Sequence, residues 1–308
     1  MMKKQIIIDT DPGIDDAVAL AIALFSKELD VKLITTVAGN VSVDLVTKNT
    51  LKLLSHYKKE VTVAKGASRP LNEPFIDASE IHGASGLEGY DFPAVNDALL
   101  SQSHAVEEMY KTIMNAEQKM TLLAIGPLTN IALLIRTYPE CLDKIEEVVI
   151  MGGAYTRGNK GVMSEFNIAT DPEAADILFK SGLKITMVGL EIGLKALILP
   201  EDSQKIKEMN VVGDMFYHLF KKYRGGSFNK GLKMYDATAV AYLLRPDMFQ
   251  VQDSFVAIEL IGTYTRGATV VDLNNRLAQK ENCTVCLDID PDKFKEWMLS
   301  SIDAININ

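Results

Sequence analysis

The sequence has little cysteine, no basic segment and no apolar run long enough to cross a membrane. Its three cysteines are too few for a disulfide framework, and a net charge of −9 with no lysine or arginine cluster excludes nucleic acid and membrane surfaces as expected partners. The apolar stretch after the initial Met-Met-Lys-Lys is too short for a signal peptide, so we expect a cytoplasmic protein. The 308 residues, 47% of them hydrophobic, are enough for a large core.

Cys283 and Cys286 form a C-x-x-C pair, a spacing that also occurs in redox and zinc sites. Their surroundings have the composition of a strand, in which residues three apart point to opposite faces. No second pair is present to complete a four-cysteine site. We therefore predict ordinary strand cysteines in a reducing compartment.

Strands and helices are predicted to alternate along most of the chain, with short turns between them. This order indicates an α/β fold: a mostly parallel open sheet flanked by helices, with a Rossmann-like core and a small C-terminal antiparallel part. No stretch has the composition of a linker, so we expect one domain spanning residues 1–308. Among the predicted elements are helices at 200–209, 211–223 and 235–244, a loop at 224–231, and strands at 255–261, 269–273 and 284–289.

Four aspartates fall within eight residues near the N-terminus, as Asp9, Asp11, Asp15 and Asp16. They follow the apolar run 6–8, which reads as a buried strand, and precede an apolar helix. Acids in a first helical turn complement the helix dipole, which explains one or two of them. Carboxylates gathered at the end of a buried strand are unfavourable unless a cation or protons neutralise them, and we favour a metal site. Oxygen-only ligands favour calcium or magnesium over zinc.

Polar residues recur just past the carboxyl ends of other predicted strands, at Asn40, Gly126 and Gly152. In open parallel sheets that edge is where ligands bind. The sequence therefore predicts one composite site to which several strand ends contribute.

These residues together resemble the signature of the inosine–uridine-preferring nucleoside hydrolases, and the likeness extends over nearly the whole chain. The resemblance implies the nucleoside hydrolase fold and hydrolysis of purine or pyrimidine ribonucleosides to free base and ribose. The motifs that carry it are Asp9–Ala17 (D-T-D-P-G-I-D-D-A), Gly39-Asn40, Ile81-His82-Gly83, Gly126–Ala132, Met151-Gly152-Gly153, Glu165-Phe166-Asn167 and Tyr235-Asp236.

The resemblance also implies a Ca²⁺ ion held by Asp11, Asp16, Asp236 and the backbone carbonyl of Ile125, with two ribose hydroxyls completing its shell. Asp15 would be the general base that takes a proton from the calcium-bound water. The remaining substrate-binding groups would be Asn40, Met151, Asn159, Glu165, Phe166 and Asn167.

Two departures from the family pattern affect the chemistry. Many relatives carry histidine at the position of Tyr235, where it is thought to protonate the leaving base, while His82 occupies the other base-side histidine position. Three options remain open: Tyr235 donates to the base, His82 donates to it, or the base leaves after protonation by solvent or by stacking-assisted activation. The alternative for Tyr235 is an aromatic side chain packed at the start of a helix. Relatives also often have Asp-Val-Thr where this chain has Glu191-Ile192-Gly193, and we expect Glu191 to be an ordinary solvated acid.

The segments 76–92 and 223–235 are expected to contact the base, and the expected partner is a small-molecule ribonucleoside. The resemblance implies a homodimer or homotetramer. Two alternative functions remain open at this point. A magnesium-dependent aspartyl-phosphate phosphohydrolase also carries D-x-D after its first strand, and a non-catalytic nucleoside sensor would be compatible with the Tyr235 departure.

Overall fold

A computed structural model describes residues 3–307 of the chain. The first strand forms because its central residues, Ile6 to Ile8, are β-branched and apolar. Within the described residues the strands are β1 (Lys4–Thr10), β2 (Leu29–Thr36), β3 (Val63–Lys65), β4 (Met120–Ala124), β5 (Ile145–Met151), β6 (Ile185–Val188), β7 (Leu197–Ile198), β8 (Gly226–Ser227), β9 (Gly231–Lys233), β10 (Phe249–Ile258), β11 (Thr269–Asp272) and β12 (Cys283–Ile289).

Several helices begin where a side chain caps their free amides. Asp171 accepts a hydrogen bond from the Ala174 amide at 3.0 Å, and Asn210 accepts one from the Gly213 amide at 2.9 Å. The helices of residues 3–307 are α1 (Ile14–Phe25), α2 (Val43–Tyr57), α3 (Ser79–His82), α4 (Ala105–Asn115), α5 (Thr129–Thr137), α6 (Phe166–Thr170), α7 (Pro172–Phe179), α8 (Leu190–Lys195), α9 (Pro200–Met209), α10 (Val211–Phe220), α11 (Tyr235–Leu244) and α12 (Pro291–Asp303), with 3-10 turns at Asp97–Leu99, Pro139–Lys144 and Pro246–Met248.

Nine strands of the described region form one sheet, in the order β11-β10-β12-β6-β5-β4-β1-β2-β3. The seven neighbouring strands from β12 to β3 are parallel, and β10 is antiparallel to both β12 and β11. The strands β7, β9 and β8 form a separate antiparallel sheet. The predicted fold class is confirmed, and the C-terminal antiparallel strands lie at one edge of the main sheet.

The main sheet is covered by helices on both faces, so its central strands are buried on both sides. Ile6 and Ile8 pack into one apolar cluster and Ile7 into the other, each at most 1% exposed. Burying a side chain of this size contributes roughly 1.5–3 kcal/mol. Cys283 and Cys286 also divide between the two clusters, and both are buried and unpaired, as predicted.

Parallel pairing brings the carboxyl ends of the central strands to one edge of the sheet. Asp9 of β1 lies beside Thr35 of β2 on one side and Ala124 of β4 on the other. Loops that follow β1, β2, β4 and β5 therefore meet at this edge, which is where the predicted site residues lie.

Three element predictions are wrong, and one of them is the helix predicted at 211–223, which ends at Phe220. The loop predicted at 224–231 contains the hairpin β8–β9, whose two- and three-residue strands include glycine and carry no alternating pattern. The strand predicted from residue 255 begins at Phe249, because polar residues such as Gln250 and Gln252 interrupt the apolar pattern while the backbone still pairs with β12.

No helix within residues 3–307 combines the length and apolar character needed to cross a bilayer.

Candidate active site

The turn between β1 and α1 is held by hydrogen bonds to its own acidic side chains. Asp16 accepts a hydrogen bond from the Gly13 amide at 2.9 Å and another from the Thr10 hydroxyl at 2.6 Å. The first contact satisfies an amide at the start of α1, as expected for an acid in a first helical turn. Asp16 is 0% exposed, so both of these hydrogen bonds are shielded from solvent.

Asp11 is fixed by the loop that follows β2. Its Oδ2 atom accepts a hydrogen bond from the Asn40 amide at 2.7 Å, and the Asn40 side chain donates to the Asp11 carbonyl at 3.0 Å and to Asp16 at 3.2 Å. A Cβ atom on Gly39 would lie 2.0 Å from Asp11 Oδ2, so this contact requires glycine. The Asp11 Oδ1 atom is buried and has no hydrogen-bond partner among the described residues.

Asp236 joins these acids from the first turn of α11, more than two hundred residues away in sequence. Oxygen atoms of Asp15, Asp16 and Asp236 all lie within 4.8 Å of one another, and the three residues are at most 5% exposed. Asp11 is outside this tightest triad, although its charge is close enough to raise the pKa of Asp236.

Burial raises the pKa of every acid in the cluster, and the neighbouring carboxylates raise several further. The pKa of Asp15 rises to about 7, and those of Asp11 and Asp236 rise well above their usual range. Across residues 3–307 no lysine or arginine forms a salt bridge with these acids, and the His82 Nδ1 atom lies 3.9 Å from Asp15. Crowded buried carboxylates, a free Asp11 oxygen and oxygen-only donors fit a hard divalent cation.

The acid cluster opens into a cavity of about 260 Å³ at the carboxyl edge of the sheet. Every predicted site residue except the fully buried Asp16 lines this cavity. The lining includes Asp11, Asp15, Asn40, His82, Ile125, Met151, Asn159, Glu165, Phe166, Asn167, Tyr235 and Asp236.

Glu165 and Asn167 are held by backbone groups on one wall of the cavity. Glu165 accepts hydrogen bonds from the Gly153, Asn167 and Ile168 amides at 3.0, 3.0 and 3.2 Å. Burial raises the pKa of Glu165 to about 7, although these three donors act in the opposite direction.

The amide group of Asn167 links this wall to the predicted metal-ligand carbonyl. It donates to the Ile125 carbonyl at 3.2 Å and to the Met151 carbonyl at 3.0 Å. Asn159 is fixed separately, because its Oδ1 atom accepts a hydrogen bond from the Phe166 amide at 2.9 Å. Both side-chain amides are thus oriented by the backbone before any substrate is present.

His82 is a neutral imidazole in this site. Its Nδ1 atom accepts a hydrogen bond from the Ile14 amide at 3.1 Å, which places the ring proton on Nε2. Burial lowers the pKa of His82 to about 4. The 3.9 Å approach to Asp15 is therefore a contact with a neutral ring and not an ion pair at neutral pH.

Tyr235 packs against Gly193, which belongs to the segment 191–193 where relatives often have Asp-Val-Thr. A Cβ atom at residue 193 would lie 2.0 Å from Tyr235 Cδ1, so the ring occupies space that any larger residue at 193 would take. Burial and the charges of Asp15 and Glu165 raise the pKa of the Tyr235 hydroxyl well above its usual range.

Tyr223 lines the cavity at the start of the segment 223–235 that we expected to contact the base. Its hydroxyl donates to the Lys233 carbonyl at 3.1 Å and is close enough to Asp15 to lower the pKa of that acid, in opposition to burial. Its ring lies beside His82, with centroids 5.4 Å apart.

Arg224 ties together the two segments predicted to contact the base, and both segments line the cavity. Its amide donates to the Ile81 carbonyl at 3.1 Å and its guanidinium to the Glu80 carbonyl at 3.0 Å. Contacts of this kind between two loops far apart in the chain have no sequence pattern, so the sequence could not predict them.

Glu191 is not the solvated acid that we expected. It is 8% exposed and its Oε1 atom accepts three hydrogen bonds, from the Tyr155 amide and from the amide and hydroxyl of Thr156. The sequence could not reveal this role because the donors lie 35 or more residues away.

Comparison with known proteins shows which family the chain belongs to. The family profile described as inosine-uridine preferring nucleoside hydrolase matches residues 6–296. The chain is 50% identical over 294 residues to the non-specific ribonucleoside hydrolase RihC of Salmonella enteritidis and 49% identical to that of Salmonella paratyphi B, covering 96% of each chain. It superposes on the purine-preferring ribonucleoside hydrolase of Gardnerella vaginalis with a TM-score of 0.91 at 28% identity, covering 98% of this chain and 99% of that one. The chain therefore belongs to the inosine-uridine preferring nucleoside hydrolase family and is a nucleoside hydrolase.

Proposed function

We propose that this protein is a calcium-dependent hydrolase that cleaves the N-glycosidic bond of both purine and pyrimidine ribonucleosides, releasing free base and ribose. The observation that carries the proposal is the group of buried carboxylates at the open end of a cavity, with which no lysine or arginine of residues 3–307 forms a salt bridge. Relatives with 49% and 50% sequence identity are described as non-specific ribonucleoside hydrolases, which supports the cleavage of nucleosides with different bases.

The proposed metal ligands are Asp11, Asp16, Asp236 and the carbonyl of Ile125. They supply only oxygen atoms, which favours Ca²⁺ over zinc or copper. When bound, the ion would lower the pKa of a coordinated water and hold the ribose diol. Asp15, which belongs to the tightest acid triad, is assigned a different role because it also faces the cavity and the Tyr223 hydroxyl.

Asp15 is proposed to act as the general base, taking a proton from the attacking water. It lies beside the proposed ligand Asp16 and lines the cavity, so an acceptor is available where a nucleophile would enter. The Tyr223 hydroxyl and the amides at the start of α1 lower the pKa of this carboxyl, in opposition to burial and to the charge of Asp16. General-base assistance accelerates such steps by about 10²- to 10⁴-fold.

The ribose is proposed to lie against Asn40, Asn159, Glu165 and Asn167, with Met151 and Phe166 beside it. Cleavage of the bond develops positive charge on the ribosyl ring, and carboxylates aimed at that ring stabilise the charge. The hydrogen bonds that Glu165 and Asn167 make with the backbone fix both side chains in advance, so little reorganisation is needed.

Two neutral groups, His82 and Tyr235, are proposed to assist the departing base by donating hydrogen bonds. His82 has only its Nε2 hydrogen to offer, since Nδ1 is occupied by the Ile14 amide. Tyr235 keeps its proton because its pKa is raised. Neither residue would supply a full proton as an imidazolium does, so the base completes its protonation from solvent.

The test is a panel of inosine, adenosine, uridine and cytidine, assayed with calcium and with a calcium-selective chelator. We expect release of free base from purine and pyrimidine substrates alike, and loss of that release in chelator with recovery on adding calcium. Release of phosphate from phosphoesters without base release would instead favour the aspartyl-phosphate alternative. Tight nucleoside binding without base release over hours would favour the sensor.

We also propose that the chain is one domain and assembles as a homodimer or homotetramer. The main sheet takes strands from residue 4 to residue 289, which supports an undivided domain. Light scattering on the purified protein would measure the assembly, and a monomer at working concentration would contradict this part of the proposal.

A further inference from the structure

The loop at residues 155–165 carries one of the proposed ribose-binding groups, Asn159, at an exposed position beside the cavity. The loop folds back on itself, because the amides of Asn159 and Lys160 both donate to the Ser164 carbonyl, at 3.1 and 2.9 Å. The Asn159 side chain is solvent-accessible, and its Oδ1 atom accepts a hydrogen bond from the Phe166 amide, just past the far end of the same loop, at 2.9 Å. Its position depends on where the two ends of the loop are attached.

The far end of this loop is attached through Ser164, whose hydroxyl donates to the Arg266 carbonyl at 2.5 Å. The near end is attached through Glu191 in the first turn of α8. Its Oε1 atom accepts the Tyr155 amide at 2.9 Å and the Thr156 amide and hydroxyl at 2.7 Å each. Its Oε2 atom has no hydrogen-bond partner in the part of the chain that the structure describes.

We propose that Glu191 is a positioning residue for the hydrolase reaction: it fixes the start of the 155–165 loop and thereby holds Asn159 where the ribose binds. This inference rests on the proposed role of Asn159 in the function above. Glu191 itself does not line the cavity and touches no reacting atom.

The physical argument is that a carboxylate accepting three donors makes charge-assisted hydrogen bonds, which are stronger than neutral ones. Removing the carboxylate releases the Tyr155 and Thr156 amides to water, so the near end of the loop keeps only the hydrogen bond from the Tyr155 hydroxyl to the Leu287 carbonyl at 2.8 Å. The substrate must then order the loop when it binds, and that ordering weakens binding. The effect therefore falls on KM more than on kcat.

The kinetic test compares Glu191→Ala with a matched control, Glu147→Gln. Glu147 is also a buried glutamate, 7% exposed, but it pairs with Lys4 and Lys184 in the strands, away from the cavity. We expect Glu191→Ala to raise KM about tenfold, equivalent to about 1.4 kcal/mol, with a smaller change in kcat. Glu147→Gln should lower thermal stability without changing KM.

A double-mutant cycle tests whether the effect passes through Asn159. In an Asn159→Ala background, Glu191→Ala should raise KM little further, because the group that it positions is gone. Fully additive effects, or an unchanged KM in Glu191→Ala, would overturn the proposal. If Glu191→Ala does not fold, Thr156→Val removes one of the three donors, and an unchanged KM in that variant would overturn it equally.

Amide hydrogen exchange gives a readout that needs no catalysis. Exchange at Tyr155 and Thr156 should be faster in Glu191→Ala than in the unmodified protein, and unchanged in Glu147→Gln. Unchanged exchange in Glu191→Ala would show that the contacts do not hold the loop. Absence of hydrolysis by the unmodified protein would instead overturn the proposed function, and this role with it, while the exchange result stood.

Discussion

At the scale of single residues, the site depends on two adjacent aspartates that have different surroundings. Asp16 is fully buried and bonded to Thr10 and to the Gly13 amide, whereas Asp15 faces the cavity and the Tyr223 hydroxyl. Neighbours in a first helical turn point in directions about 100° apart. One acid can therefore serve as a ligand while the next serves as a base.

Replacing Asp15 by asparagine should lower kcat by about 10²- to 10⁴-fold, the usual worth of a general base. Folding should be preserved, because the change removes a charge from a buried acid cluster in which like charges repel. Initial rates on inosine and uridine, with thermal unfolding alongside, measure both effects. The control is Asp44→Asn on the exposed part of α2, which should leave both unchanged; near-normal turnover in Asp15→Asn would remove the assigned role.

His82 should remain neutral down to acidic pH, since burial lowers its pKa from 6.5 to about 4. Between those values the unfolded chain binds a proton at this residue more readily than the folded protein does. His82 therefore reduces stability as the pH falls from 6.5 towards 4, and not as it rises. NMR titration of the ring, assigned with His82→Asn, checks this directly. A midpoint at or above 6.5 would mean that His82 is a charged acid at the site.

At the scale of elements, the contact between α8 and α11 explains one departure from the family pattern. Gly193 of α8 leaves space for the Tyr235 ring at the start of α11, and a Cβ atom there would lie 2.0 Å from that ring. The bulky side chain at residue 235 therefore fits only because residue 193 is glycine.

Gly193→Ala should displace Tyr235 and lower both stability and activity. Overpacking of this kind typically costs about 1–3 kcal/mol. The same substitution in a Tyr235→Ala background should cost far less, because the clashing ring is absent. Thermal unfolding of the four proteins in this cycle measures the difference, and equal costs in both backgrounds would show that the ring is not the obstacle.

The elements that the sequence predicts well are those with a local signal. The bounds predicted for α9 and α11 agree with the structure because Pro200 begins one helix and Tyr235-Asp236 begins the other. The helix predicted at 211–223 ends at Phe220, which leaves Tyr223 free to turn towards the cavity. Such an end depends on tertiary contacts and not on local propensity.

The short sheet made by β7, β8 and β9 has no local signal at all. Its strands are two or three residues long, and β7 comes from a segment about thirty residues before its partner β9. The burial of Glu191 was unpredictable for the same reason, because its partners follow a different strand. Clustering of acids and asparagines at strand ends was predictable, because parallel pairing alone brings those ends together.

At the scale of the whole molecule, the sheet topology assembles the acids at one edge from distant parts of the chain. Asp11 and Asp16 follow β1, Ile125 follows β4, and Asp236 arrives on α11. Folding therefore gathers buried acids with which no lysine or arginine of residues 3–307 forms a salt bridge. The account predicts that a divalent ion completes this edge.

Isothermal titration of Ca²⁺ into chelator-treated protein, in two buffers of different ionisation enthalpy, tests this claim most directly. The account predicts one saturable site per chain at pH 7, with release of protons, because the raised pKa values keep some of these acids protonated until the ion arrives. Binding should be lost in Asp16→Asn. No saturable binding by the unmodified protein, or equal binding by Asp16→Asn, would contradict the account.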